Sequence, residues 1–180
     1  GIFDRPANRK LIVSLQTQKK DLLLIPPPVI VPVSDRDKPD LASFDWLIFS
    51  DIYSADLFLG DDYTGIDLDE LRICALGEAV ADRLRFSQIH ADVIQARLSA
   101  PTAFAAIADY ESVEDKRFLI LSREKAKNEI LSLLAEKGAD VVELPVYCVE
   151  FPAELSRFRS LLIGGAIDEF IFASAHDVCD

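Results

Sequence analysis

Phe118-Leu119-Ile120-Leu121-Ser122 is a run of four apolar residues closed by a hydroxyl, and Ala139-Asp140-Val141-Val142 is a second short apolar run downstream. Between them, residues 124–137 place Ala126, Ile130, Leu133 and Leu134 at the spacing of one helical face. Gly138 follows as the helix stop. Strand, helix and strand in so short a span predict a parallel βαβ unit with a right-handed crossover.

The same unit occurs upstream. Residues 72–76 read as a strand, Gly77 breaks it, and residues 78–86 read as a helix with Val80, Ala81 and Leu84 inward. Ala91-Asp92-Val93-Ile94 is the strand that follows, so both halves end on Ala-Asp-Val. Before them, Trp46-Leu47-Ile48-Phe49 is continuously apolar, as in a strand covered on both faces, and Ser50 and Asp51 stand at its carboxyl end.

Two proline-bearing extended segments flank this middle block. Near the N-terminus, residues 7–18 set Ala7, Leu11, Ile12 and Leu15 on one helical face, and Leu22-Leu23-Leu24-Ile25 is a strand halted by Pro26-Pro27-Pro28. Residues 29–33 contain Pro32, which rules out a central strand and predicts an extended connector. Residues 34–40 are polar and turn-like and mark a domain boundary. Leu144-Pro145-Val146-Tyr147-Cys148-Val149 repeats the character of the first connector. The expected fold is therefore α/β. Two flavodoxin-like parallel-sheet domains are predicted, the second inserted in the first and joined to it by a two-strand hinge. The outer domain comprises 1–34 plus 147–180, and the inserted domain 35–146. The outer domain's last elements are a helix at 153–164 and a strand at 169–172 ending in Ala173-Ser174. So few strands make a thin core, and the outer domain is expected to be incomplete at its C-terminus.

Composition bounds the function. The chain has 180 residues, half of them hydrophobic, and a formal net charge of −12. That field repels nucleic acid and anionic membrane surfaces. A small anion has to be held locally, by backbone N–H groups at helix starts, hydroxyls and a few arginines. No run of apolar residues is long enough to span a membrane, and the N-terminus lacks the pattern of a signal peptide. A cytoplasmic location is expected. Cys74, Cys148 and Cys179 have no metal-ligand spacing and read as small hydrophobes of a reducing compartment.

In open parallel sheets, ligands bind outside the carboxyl ends of the strands. This rule nominates Arg5, Ser50 with Asp51, Gly77 with Glu78, Ser122 with Arg123, and Ser174 with Ala175. Serines at such places also serve simply as helix caps. Arg123, Lys125 and Lys127 gather at a predicted helix start, where the macrodipole disfavours cations, which hints at an anionic partner. His90 reads as a surface turn residue, and His176 lies in a candidate ligand loop. Asp61, Asp62, Asp67, Asp69 and Glu70 match no calcium loop and read as a solvated face. No metal site is predicted.

Several segments in order resemble uroporphyrinogen-III synthase. Asp4-Arg5-Pro6 is similar to the family's opening Thr-Arg-Pro, and Asp45 to Ser50 resemble its Asp-x-Leu-Ile-Phe-Thr-Ser strand end. Ala75-Leu76-Gly77 with Val80-Ala81 resembles Val-Gly-x-x-Thr-Ala, Leu144-Pro145-Val146-Tyr147 resembles Val-Pro-Val-Tyr, and Phe170-Ile171-Phe172-Ala173-Ser174 resembles a second Phe-Thr-Ser strand end. The resemblance implies closure of the linear tetrapyrrole hydroxymethylbilane to uroporphyrinogen III, with inversion of ring D and loss of water. It implies no metal or organic cofactor; a monomer is expected, and the charge argues against a nucleic-acid or membrane partner. The polycarboxylate substrate is bound largely by backbone amides, and catalysis works mainly through positioning. Tyr147 falls where the family has a tyrosine thought to assist departure of the hydroxyl.

The chain departs from the pattern at three places. Val80 replaces a threonine, Ser122-Arg123 stands where Arg-Gly is usual, and Asp51 brings a negative charge beside an anion site. Asp51 either turns away or accepts from a helix N–H. A catalytically lapsed, synthase-like domain that binds or regulates is the second reading. A sensor of small anions like the periplasmic binding proteins is a third, and the lack of a signal peptide opposes it.

Overall fold

The computed structural model describes residues 2–3, 8–17, 22–25, 27–34, 39–60, 68, 70–95, 99–169 and 171. The chain divides into two compact units, Gly1–Val29 with Val149–Asp180, and Ile30–Cys148.

The first unit holds β1 (Ile2–Phe3), α1 (Arg9–Thr17), β2 (Leu24–Ile25) and α6 (Glu154–Ile163). β1 and β2 pair in parallel, and α6 packs on β2. The helical face predicted for residues 7–18 buries Ile12, while Leu11 is exposed. Of the strand expected at 169–172, Glu169 and Ile171 are irregular, and Phe170 and Phe172 lie outside the described residues.

The second unit carries a six-stranded sheet. Its elements are β3 (Val29–Pro32), β4 (Trp46–Phe49), α2 (Ile52–Gly60), β5 (Arg72–Leu76), α3 (Glu78–Phe86), β6 (Val93–Gln95), α4 (Ala100–Tyr110), β7 (Arg117–Arg123), α5 (Glu129–Glu136) and β8 (Asp140–Glu150). The strand order is β3-β8-β7-β4-β5-β6, and β8, β7, β4, β5 and β6 are mutually parallel. Counted from β4, the order is third, second, first, fourth, fifth. That is a doubly wound sheet, but the flavodoxin order is second, first, third, fourth, fifth, so the expected winding is corrected. From β3 at the edge the chain passes to β4 at the centre, moves out to β6, then crosses back to β7 and β8. Residues 29–32 form a strand rather than a bare connector, and they take the sheet edge, where Pro32 costs no ladder bond.

Right-handed crossovers place α2 and α3 on one face and α4 and α5 on the other. Accordingly, α2 packs on α3 and α4 on α5. β4 lies between β5 and β7, and all four of its side chains are fully buried, as its unbroken apolar character requires. Trp46 stacks on Phe118 of the neighbouring strand, with ring centroids 5.7 Å apart, and meets Tyr110 edge-on at 5.6 Å. Its indole N–H donates to Glu111 at 2.8 Å. At the amino end of the sheet, Asp45 accepts from the Arg117 backbone N–H at 2.8 Å and from Lys116 at 3.1 Å. The Arg117 amide and then Lys116 hold the Asp45 carboxyl below its ordinary value, against the opposing effect of burial.

Candidate functional site

The site is built from the loops at the carboxyl ends of β4 and β7. These strands are neighbours whose chains leave for opposite faces, β4 toward α2 and β7 toward α5, so the crevice between them is the topological switch point.

After β4, the Ser50 hydroxyl lies 2.7 Å from the Leu121 carbonyl and 3.0 Å from Asp51 Oδ2, one proton serving either. Asp51 caps α2. Its Oδ1 accepts the Ser54 N–H at 2.8 Å, and the buried Ser54 hydroxyl lies 3.2 Å from the Asp51 N–H, a reciprocal cap. Of the two sequence alternatives for Asp51, the structure has the bond to a helix N–H. The same carboxylate reaches further: Oδ2 accepts the Tyr147 hydroxyl at 2.9 Å.

Tyr147 comes from β8. Pairing of β7 with β8 runs from Arg117↔Asp140 to Ser122↔Pro145 and then slips, so that Arg123 pairs with Tyr147. Pro145 has no N–H to give the ladder, and Val146 is the extra residue of the resulting bulge. A one-residue slip reverses the facing of side chains beyond it, and Tyr147 comes to face Asp51. The ring is 5% exposed and meets the Tyr53 ring edge-on at 5.8 Å. Burial, then the Asp51 charge and hydrogen bond, raise the Tyr147 phenol above its ordinary value, and Arg123 opposes them.

After β7, the structure corrects the local prediction. The helix expected at 124–137 begins only at Glu129. Lys125 takes a left-handed φ of 60°, Glu124 N–H donates to the Tyr147 carbonyl at 2.7 Å, and Ala126 N–H returns to Arg123 O at 3.1 Å, a turn that delays the helix. Ser122 and Arg123 are the last residues of β7 and not a helix start. The Ser122 side chain is buried and donates to Glu143 at 2.6 Å, and Asn128 donates to the same carboxylate oxygen at 3.0 Å. The helical stripe shrinks to buried Ile130 and Leu134. After β5, Gly77 has φ 121° and precedes α3, whose first residue Glu78 is exposed. Val80 is buried beneath that turn. Arg5, Ser174, Ala175, His176, Cys179 and the acidic positions 61, 62, 67 and 69 lie outside the described residues. His90 is exposed, Cys74 is buried and Cys148 partly so.

A cavity of about 220 Å³ opens beside Ser50. Leu76, the first turn of α4 with its cap Ser99, and Lys127, Asn128 and Glu129 at the start of α5 line it. Two helix starts and Lys127 thus line it, with Glu129 beside them; helix N-termini and a cation suit a carboxylate. Sequence reasoning missed α2, α4, Ser99 and Glu143. Ser99 before Ala100-Pro101 was the available signal, a cap followed by proline in the first turn. Among the described residues, no group of three or more His, Cys, Asp or Glu is placed to hold a metal ion, and no helix is long and apolar enough to cross a membrane.

Known proteins share both the pattern and the fold. The family model described as uroporphyrinogen-III synthase HemD matches residues 18–180. A mutant uroporphyrinogen III synthase from Thermus thermophilus superposes with a TM-score of 0.69 at 17% identity, covering 98% of this chain and 73% of that one. The wild-type enzyme of the same bacterium gives 0.59 at 17% identity over 98% and 72%. A Helicobacter pylori uroporphyrinogen-III synthetase gives 0.50 at 19% identity over 74% and 59%. No curated protein matches. The structural likeness carries the fold, and the sequence match over most of the residues carries the kinship: this chain belongs to the uroporphyrinogen-III synthase family.

Proposed function

We propose that this chain cyclises hydroxymethylbilane to uroporphyrinogen III, inverting ring D and releasing water. The single observation that carries the reading is the crevice at the carboxyl ends of β4 and β7. There Tyr147 and Asp51 stand next to Ser50, and Ser50 also lines the cavity capped by two helix N-termini and Lys127. A linear tetrapyrrole bears carboxylates along its length and a reactive hydroxymethyl group at one end. In this reading one carboxylate sits at the starts of α4 and α5, chiefly at the α5 end, because in α4 Pro101 has no N–H and Ser99 caps the Thr102 N–H. The reacting end then lies toward Tyr147, the catalytic side chain. Gly77 and Glu78 at the start of α3, together with Arg123, hold further parts of the substrate, as do Arg5, Ser174 and Ala175. Catalysis is chiefly orientation of the two ends for ring closure. The domain reading belongs with it: the division of the chain into a middle unit and an outer one supports an inserted domain.

The test is the isomer formed. Hydroxymethylbilane closes spontaneously to the type I product, so the purified chain must yield type III. Type I alone would return the chain to a binding or regulatory role. Tyr147→Phe is expected to lower kcat and leave binding of the substrate largely intact.

A further inference from the structure

Asp51 is held on both oxygens. Oδ1 is fixed by the Ser54 N–H at 2.8 Å, and Oδ2 takes the Tyr147 hydroxyl at 2.9 Å with Ser50 Oγ 3.0 Å away. A phenol has one proton, and here it points at a carboxylate. What Tyr147 offers a ligand is therefore its lone pairs. The groups facing it are Asp51 from the turn after β4, Tyr53 from α2 and Arg123 from the end of β7. Giving up the proton to a ligand leaves phenolate against carboxylate at hydrogen-bond distance, two like charges in a site largely removed from water. Geometry makes Tyr147 a poor proton donor and a good acceptor.

We propose that Asp51 is a positioning residue that sets the part Tyr147 plays: together they present an acceptor oxygen backed by one negative charge, which stabilises positive charge on the substrate as its hydroxyl leaves. The inference rests on the synthase reading above. In that step the C–O bond of the hydroxymethyl group breaks with its electron pair going to oxygen. The pyrrole nitrogen supplies its lone pair through the ring, leaving an azafulvene cation. The departing oxygen takes its proton from solvent, not from Tyr147, and leaves as water. The same carboxylate that reads as a liability toward an anionic substrate is thereby matched to the one cationic species of the reaction.

The test uses the full chain with freshly made hydroxymethylbilane and three variants. Asp51→Ser keeps a helix cap but is too short to reach Tyr147. Asp51→Asn keeps both the cap and a neutral acceptor. Tyr147→Phe removes the phenol. Asp51→Ser is expected to lower kcat about tenfold or more, the scale of a lost charge-assisted hydrogen bond, with KM within about twofold. Asp51→Asn should fall between it and wild type. In the Tyr147→Phe background, Asp51→Ser should cost less than about twofold, because residues acting as one unit are not additive. An equal loss in both backgrounds overturns the proposal, and so does a fall confined to KM. Ultraviolet titration reads the contact without turnover: one tyrosine should ionise at lower pH in Asp51→Ser, and that tyrosine should vanish with Tyr147→Phe. An unchanged titration overturns the coupling. If wild type makes only the type I isomer, the synthase reading falls and the cation-stabilising role with it, while the titration still reports whether Asp51 holds the phenol.

Discussion

Removing the Phe118 ring tests the core on which the crevice is mounted. Phe118 is fully buried near the start of β7, pairs directly with Trp46 of β4, and stacks on the indole at 5.7 Å with 14° between the planes. Around it stand Ile48, Cys74, Ile120, Ile130 and Leu134, all buried in the same cluster. Phe118→Ala leaves a cavity at a fully buried position. Truncations of this kind cost about 3–5 kcal/mol. With total stabilities of about 5–15 kcal/mol, such a loss is a large share of the whole. At a urea dependence of about 1–3 kcal/mol per molar, the midpoint should fall by roughly 2 M. Trp46 is the only tryptophan in the chain, so its fluorescence reports unfolding of this unit and, in the folded variant, the loss of its stacked neighbour. Phe118→Leu should recover more than half of the loss. A midpoint within about 0.3 M of wild type for Phe118→Ala, or an unaltered native emission spectrum, would refute the packing described for β4 and β7.

Three further outcomes follow from single contacts. Asp45 has a carboxyl pKa lowered in the folded state by the Arg117 amide and Lys116, so its stabilisation is present above the ordinary carboxylate value and is lost as pH falls through the lowered one; acid unfolding monitored by circular dichroism should lose steepness in Asp45→Asn, with a small effect because the side chain is 39% exposed. Gly77 sits at φ 121°, ψ 145°, a region nearly closed to other residues, although a Cβ would meet nothing closer than Val80 at 3.8 Å, so Gly77→Ala should cost about 1–3 kcal/mol through strain; Gly60→Ala, with open space around it, should be neutral or slightly stabilising in the same melts. Among the described residues, Glu143→Ala leaves the buried Ser122 hydroxyl with the Arg123 carbonyl at 3.4 Å and removes the Asn128 acceptor, for about 1–3 kcal/mol and faster hydrogen exchange at the start of α5; Glu143→Gln should cost less.

What the sequence disclosed follows the strength of local signals. β4, β5 and α3 were legible to the residue, because a continuous apolar run, a following Gly and a clean helical stripe all agree there. α2 and α4 were not read. α2 is apolar on nearly every side, and α4 is largely alanine, so neither shows a sharp hydrophobic stripe, and each is placed by its cap and by packing against α3 or α5. The late start of α5 was hidden for another reason. Residues 124–128 have helical composition, but the Glu124 amide is claimed by the Tyr147 carbonyl on another strand. The candidate site divides the same way. Ser50, Asp51 and Tyr147 came from strand ends and motif likeness, whereas the bond between Asp51 and Tyr147 depends on a bulge that no local pattern announces.

The three departures from the family pattern have a common physical character. Val80 is buried under the Gly77 turn, Ser122 is buried against Glu143, and Asp51 is tied to a helix amide and a phenol. None of these side chains is a free group offered to an anion. In the proposed reading a polycarboxylate is held by backbone amides at helix starts together with Lys127 and Arg123, within a chain whose formal charge is −12. Local donors act at contact distance, while the net charge acts across the Debye length, about 30 Å at 0.01 M salt and about 10 Å at 0.1 M. Added salt should therefore screen the long-range repulsion more than the short contacts, and KM for hydroxymethylbilane should fall between those two concentrations while kcat stays nearly constant. Lys127→Glu should raise KM at both concentrations and steepen its fall with salt. A KM that rises with salt in the wild-type chain would mean that a basic field, and not local amides, gathers the substrate, and the site described at the starts of α4 and α5 would lose its support.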